Sequence, residues 1–202
     1  MSYFLKYKKY KAKYINVLQH NLQHNLQHNL QDGGNLDNQN IVLIDKAIAF
    51  IRSCDNTNTN TNTITGTIHF ENTSDDLVKI YGEVKGLTTG KHGFHVHESG
   101  DLTKCCESLK GHFNPTNMHH GGPKSNVRHV GDLGNIEVGL DGSAKINFTD
   151  HMIKLNGPHS IIGRSLIIHA GEDDLGLGGN EESLKTGNAG KRVAYAIIGI
   201  NA

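Results

Sequence analysis

His95-Val96-His97 is the densest chemical signal in this chain. Side chains of an extended strand repeat every two residues, so both imidazoles leave the same face and can converge on one ion. A lone His-x-His is more often a half-buried strand with two satisfied histidines, but this one has company. His112, His120 and His129 follow at spacings of eight and nine, and Asp132 lies three further on. Three imidazoles and a carboxylate form a closed tetrahedral set of the kind that suits zinc. His169 ends another apolar run. Imidazole-rich sites without thiolate suit copper or zinc, with geometry deciding between them. Spacing alone supports a metal site and leaves open whether it holds one ion or two.

The elements that must position these residues are strands. Apolar or alternating runs cover Ile41–Ile51, Thr65–Phe70, Leu77–Val84, His92–His97, Val130–Val138, Ala144–Phe148, Ser165–Ala170 and Val193–Ile200. Gly, Asn and Asp clusters separate them, and no amphipathic helix interrupts the series. Such a pattern predicts an all-β sandwich or barrel. Two long intervals, Glu98–Arg128 and Gly171–Lys191, carry no strand signal and hold much of the chemistry, as long loops of compact domains often do. The polar tract Asn56–Thr63 reads as an elongated hairpin loop. Residues 1–40 differ from the rest: a Leu-Gln-His-Asn unit repeats from Leu18, placing His20, His24 and His28 at i, i+4. Asn in every unit weakens a helix there, so this segment reads as a flexible or marginally helical low-complexity extension, and residues 41–202 as the domain.

Lys+Arg and Asp+Glu are both 20 in a chain of 202 residues, which gives no reason to expect nucleic acid or a membrane as partner. Glycine, 24 residues, suits a fold with many turns, and 14 histidines fit metal binding. The basic N-terminus leads into no apolar segment of the secretory type, and no stretch approaches the ~20 apolar residues of a membrane span. Three cysteines, Cys54, Cys105 and Cys106, are too few for a disulfide framework. The expected setting is cytoplasmic, a viral or host-cytoplasm setting included.

Six motifs in order resemble the copper–zinc superoxide dismutase family: Gly93-Phe-His-Val-His-Glu98, Gly111-His-Phe-Asn-Pro115, His120-Gly-Gly-Pro123, His129-Val-Gly-Asp-Leu-Gly-Asn135, Gly163-Arg-Ser-Leu-Ile-Ile-His169 and Asp173–Arg192. The likeness runs from about Lys46 to Ala202. It implies a Greek-key β-sandwich, or flattened eight-stranded barrel, with two long functional loops. It implies copper on His95, His97, His112 and His169, and zinc on His112, His120, His129 and Asp132, one of each per chain, with His112 shared as the bridge. Asp173 corresponds to a carboxylate linking a copper histidine to a zinc histidine, here His95 and His120. Arg192 corresponds to the anion-binding guanidinium beside copper. Glu181, Glu182 and Lys185 match charges that guide the substrate in that family, and Thr186 matches a residue lining its channel mouth. The implied reaction converts superoxide to dioxygen and hydrogen peroxide as copper cycles its redox state beside the imidazolate-bridged zinc, with His112 handling a proton. A homodimer and a copper-delivery protein are the implied partners besides superoxide.

The chain also departs from that pattern. The family usually joins a cysteine matching Cys106 to one near the C-terminus, but Tyr195 stands at the second position. Cys105 offers only a vicinal alternative, and residue types leave open whether Cys54 comes close enough. The expectation is a loop tied less firmly to the barrel or held by other contacts. Ser99 stands where an aromatic residue commonly packs in the dimer interface, while Ile162, Ile197 and Ile200 keep that surface apolar. The competing reading is a non-catalytic relative that buffers or carries metal, which should lack some copper ligands or the arginine; all are present.

Overall fold

The computed structural model describes residues 43–54 and 63–201. The low-complexity extension with His20, His24 and His28, and most of the Asn-Thr tract, lie outside these residues. Eight antiparallel strands make one sheet: β1 (Lys46–Ser53), β2 (Thr65–Asn72), β3 (Val78–Lys85), β4 (Gly90–His97), β5 (Asp132–Val138), β6 (Ser143–Asp150), β7 (Ser165–His169) and β8 (Arg192–Ile200). Their order is β5-β4-β7-β8-β1-β2-β3-β6. The two edge strands, β5 and β6, lie against each other, so the sheet nearly closes into a barrel. Closure of this kind hides strand edges that would otherwise recruit other chains. The connections from β3 to β4 and from β6 to β7 cross over intervening strands, as in a Greek key.

Strand alternation sorts side chains between two layers. One face of each strand fills the barrel: Ala47, Ala49 and Ile51 from β1, Phe94 and Val96 from β4, Leu166 and Ile168 from β7, and Ala194, Ala196 and Ile198 from β8 are all buried. Phe94 meets Phe148 edge to face, ring centroids 6.5 Å apart. The opposite face of β4 and β7 carries His95, His97, Ile167 and His169, and these are buried too. Water is kept from that face by the two long loops, which cover it as a second layer.

Each loop has its own anchor. In the first, Cys105–Leu109 forms a 3₁₀ turn whose Cys106 and Leu109 pack on Ile167, with Tyr195 and Ile197 alongside. The second carries a single helical turn, α1 (Ser183–Thr186), ended by Gly187 in the left-handed conformation, φ 68°. Arg128 closes the base of the first loop: it is buried, donates to Asp150 Oδ2 at 2.7 Å, and also donates to the carbonyls of Pro123, His129 and Val130. A buried guanidinium needs such a full set of acceptors.

Of the two expectations for the first loop, the structure takes the one in which other contacts hold it, and Cys54 supplies the partner that residue types left open. Cys106 is disulfide-bonded to Cys54, 52 positions away. Cys54 lies just past the end of β1, and its N–H donates to the Val193 carbonyl of β8 at 2.8 Å. Tyr195 pairs with Arg52 across the same two strands. The tether therefore reaches the barrel one strand over, and the tyrosine packs beside it.

Candidate metal centre

The histidines read from sequence converge on one patch. His95, His97, His112 and His169 bring their ring nitrogens within 4.8 Å of one another, and the ligand atoms of His112, His120, His129 and Asp132 do the same. His112 belongs to both groups, so the two sites share an imidazole. His95 and His97 come from one face of β4, and His169 from the adjoining end of β7. His112 is delivered by the first loop through a bridge to His97.

The hydrogen bonds decide which nitrogen of each ring is spoken for. His95 Nε2 faces Asp173 Oδ2 at 2.9 Å, leaving Nδ1 buried without a partner. His97 Nδ1 donates to the Lys110 carbonyl at 2.8 Å, and His169 Nδ1 to the Gly190 carbonyl at 2.9 Å, so each ring turns its Nε2 inward; these two nitrogens are 3.4 Å apart. His112 Nε2 is also buried without a partner. Four nitrogens thus face one another, and two of them, His95 Nδ1 and His112 Nε2, are buried with no hydrogen-bond partner among the described residues. Orphaned polar atoms at such burial are costly, and an ion is the natural occupant. On the other side His112 Nδ1, His120 Nδ1 and His129 Nδ1 lie 2.8, 3.0 and 3.1 Å from the same oxygen, Asp132 Oδ1. Three imidazoles crowding one carboxylate oxygen fit a small divalent cation between them. Asp132 Oδ2 accepts from the N–H groups of Gly121 and His129, which fixes the carboxylate.

Asp173 ties the groups together. Its Oδ1 faces His120 Nε2 at 2.7 Å while Oδ2 holds His95. Its own main chain is clamped by Asn135, whose side chain accepts from the Asp173 N–H and donates to the Asp173 carbonyl, both at 2.8 Å. Gly187 leaves the space: a Cβ there would lie 1.9 Å from Asp173 Oδ1 and 2.6 Å from His120 Nε2.

Burial holds three rings of the first group neutral. His95 is lowered to about 3 and His169 to about 4, in both cases chiefly by burial, and His97 falls well below its ordinary value for the same reason. His120 goes the other way. Burial pulls it down, but Asp132 and Asp173 outweigh that and raise it to about 9. Asp132 is itself held well below the usual carboxylate range: burial pushes it up, but its three histidines outweigh that.

Arg192 opens β8 directly opposite His169 in the strand register. Its Nη1 donates to the Cys106 carbonyl and its Nη2 to the Lys110 carbonyl. Lys110 is in an uncommon conformation, φ 60° and ψ −157°, and its carbonyl serves both Arg192 and His97. Glu181 and Lys185 pair at 2.6 Å on the exposed side of α1, and Thr186 donates to Glu182 at 2.6 Å. Residue types and spacing point to every ligand candidate but miss four supports: Asn135, Gly187 and the carbonyls of Lys110 and Gly190. The first two stand inside quoted motifs, whereas a carbonyl leaves no mark in sequence.

Comparison with known proteins agrees with this geometry. Residues 64–198 match the family described as copper/zinc superoxide dismutase. An extracellular superoxide dismutase [Cu-Zn] of Brugia pahangi is 55% identical over 159 residues, 77% of this chain and 76% of the relative. The superoxide dismutase [Cu-Zn] of Paramecium bursaria Chlorella virus 1 is 58% identical over 137 residues, 67% of this chain and 73% of the relative. That of Onchocerca volvulus is 54% identical over 143 residues, 69% and 90% of the two chains. The crystal structure of the clock protein EA4 superposes with a TM-score of 0.74 at 42% identity, covering 81% of this chain and 99% of that one. With the shared-imidazole geometry and these relatives pointing the same way, the chain belongs to the copper–zinc superoxide dismutase family.

Proposed function

We propose that this superoxide dismutase holds copper on His95, His97, His112 and His169 and zinc on His112, His120, His129 and Asp132, with Arg192 as the anion-capture group. The observation that carries the reading is the shared His112: its Nδ1 points into one donor set and its partnerless Nε2 into the other. When bound, copper supplies one-electron chemistry and zinc fixes the shared imidazole electrostatically.

The chain's own residues do the rest. Superoxide is small and has little shape, so charge must gather it. Arg192 has five N–H donors and commits one from each Nη group to a carbonyl, leaving donors for an anion beside His97 and His169. Glu181, Glu182 and Lys185 shape the field outside, and Thr186 borders the approach. His112 takes up and gives back a proton at Nε2 while Nδ1 stays directed at Asp132. Asp173 keeps His95 and His120 in the tautomers that free Nδ1 of each ring.

The test is superoxide decay by protein carrying one copper and one zinc per chain, beside Arg192→Ala. Loss of steering should slow the variant by about tenfold or more at low ionic strength and flatten its salt dependence. Equal rates and equal salt slopes would remove Arg192 from the role. Full metal content without activity in the parent protein would favour a metal buffer or carrier instead.

A homodimer, an outside copper-delivery protein, a cytoplasmic setting and a separate extension over residues 1–40 complete the reading. Phe50 on β1 and Ile200 on β8 are 58% and 59% exposed, and Ile162 and Ile197 add apolar surface nearby, which supports self-association. Sedimentation of Phe50→Glu should show monomers if that face pairs two chains. One relative is named as extracellular, so cell fractionation decides the compartment.

A further inference from the structure

All three cysteines of the chain meet under the first loop. Cys54 and Cys106 form the bridge, and Cys105 is a free thiol. Its Sγ lies 3.9 Å from Cys106 Sγ and donates to the main-chain carbonyl of Cys54 at 3.5 Å, so it meets one sulfur of the bridge and the backbone that carries the other. Neighbouring residues of an extended chain point to opposite sides. The turn at Cys105, φ 50°, is what brings two adjacent sulfurs into contact. Cys106 is buried, whereas Cys105 is half-buried, so the residue with the free thiol is more exposed than its neighbour.

We propose that Cys105 is a thiol–disulfide exchange site and a second anchor for the same tether. The Cys105 thiol gives its proton to solvent base, and the thiolate attacks Cys54 Sγ. A Cys54–Cys105 bond forms as the Cys54–Cys106 bond breaks, and Cys106 leaves as thiolate and takes up a proton. One disulfide and one thiol stand on each side, so neither oxidant nor reductant is consumed. Chain entropy does not choose between the isomers, because the separation of 52 positions becomes one shorter and loop closure depends on its logarithm. The third pairing, Cys105–Cys106, is disfavoured: neighbouring Cα atoms are held about 3.8 Å apart, below the roughly 4.4–6.8 Å that disulfides span. Exchange therefore shifts the anchor by one residue and leaves the loop attached.

Disulfide mapping tests this without reference to metals or activity. Cys106→Ser is equilibrated in a glutathione buffer that closes the parent bridge, quenched in acid, alkylated and digested without reduction. Fragmentation spectra separate the adjacent cysteines. A Cys54–Cys105 linkage in most molecules, absent from Cys105→Ser/Cys106→Ser, is the expected result. The variant with Cys54 and Cys105 both alkylated would overturn the proposal. Should Cys106→Ser fail to fold, the full-length parent held at pH 8.5 for hours answers the same question. Linked Cys54–Cys105 peptide with alkylated Cys106 supports exchange, and Cys54–Cys106 alone at every time point refutes it.

Discussion

Asp173→Asn isolates the carboxylate that joins the two donor sets. Asparagine keeps the shape, but its amide offers one acceptor oxygen where Asp173 offers two, at 2.9 Å from His95 and 2.7 Å from His120. One of the two rings must then face an NH₂ group and turn or change tautomer. A hydrogen bond to a charged group contributes about 1.5–3 kcal/mol, and about 1.4 kcal/mol corresponds to tenfold in affinity. Losing one of the pair should therefore weaken metal binding by about 10- to 100-fold, the range typical for such supporting groups. His95 stands in one donor set and His120 in the other, so the loss should fall on the metal whose ring meets the NH₂ group. The assay is chelator competition on metal-free protein, run for each metal separately, with thermal unfolding to show that the fold survives. Unchanged affinity for both metals in a folded variant would refute the reasoning. Loss confined to one metal would identify the ring that the asparagine oxygen failed to serve.

Gly187→Ala should disturb the same contact by crowding, since the new Cβ falls on Asp173 Oδ1 at a residue with φ 68°; reduced zinc affinity and a lower Tm are expected, and a parental Tm would argue against it. Cys54→Ser removes a tether across 52 positions, which chain entropy values at about 4 kcal/mol; denaturant unfolding should show that loss, and reductant should then have no further effect. In metal-free protein, zinc must displace a proton from His120, whose value of about 9 exceeds the ordinary 6.5, so zinc affinity should climb with pH until about 9; a flat titration would contradict this. The stability of the metal-free fold should peak near pH 6.5. The His120 contribution is complete below 6.5 and lost as pH rises to about 9. His95 and His169 stay neutral in the fold to about 3 and 4, so acid favours the unfolded chain progressively below 6.5. Thermal scans of chelator-treated protein across pH would check both limbs.

Side-chain chemistry was legible in the sequence, and main-chain chemistry was not. His95, His97, His112, His120, His129, Asp132 and His169 announce themselves because only a few residue types bind metals, and the two-residue period of β4 already placed two of them on one face. Each of the eight strands has its apolar run, with ends displaced by a few residues: the first run, Ile41–Ile51, becomes β1 at Lys46–Ser53. Apolar pattern marks where a strand is buried, whereas pairing with a neighbour decides where it stops. Cys54 shows the cost of that difference. Whether it could reach Cys106 depended on how far β1 runs beside β8, a matter of register that residue types do not encode. The carbonyls of Lys110 and Gly190, which hold His97 and His169, were invisible for a simpler reason: every residue has one.

The Lys110 carbonyl has a consequence for how this site can change. One oxygen accepts from His97 Nδ1 and from Arg192 Nη2, so the ring proposed to bind metal and the charge proposed to gather substrate hang from a single backbone atom. Neither can be re-aimed without dragging the other. A variant that shifts the guanidinium to suit a different anion also turns the imidazole, and one that retunes the imidazole displaces the guanidinium. The two traits are inherited as a block, and selection or design that aims at one must accept both or rebuild the loop that carries Lys110.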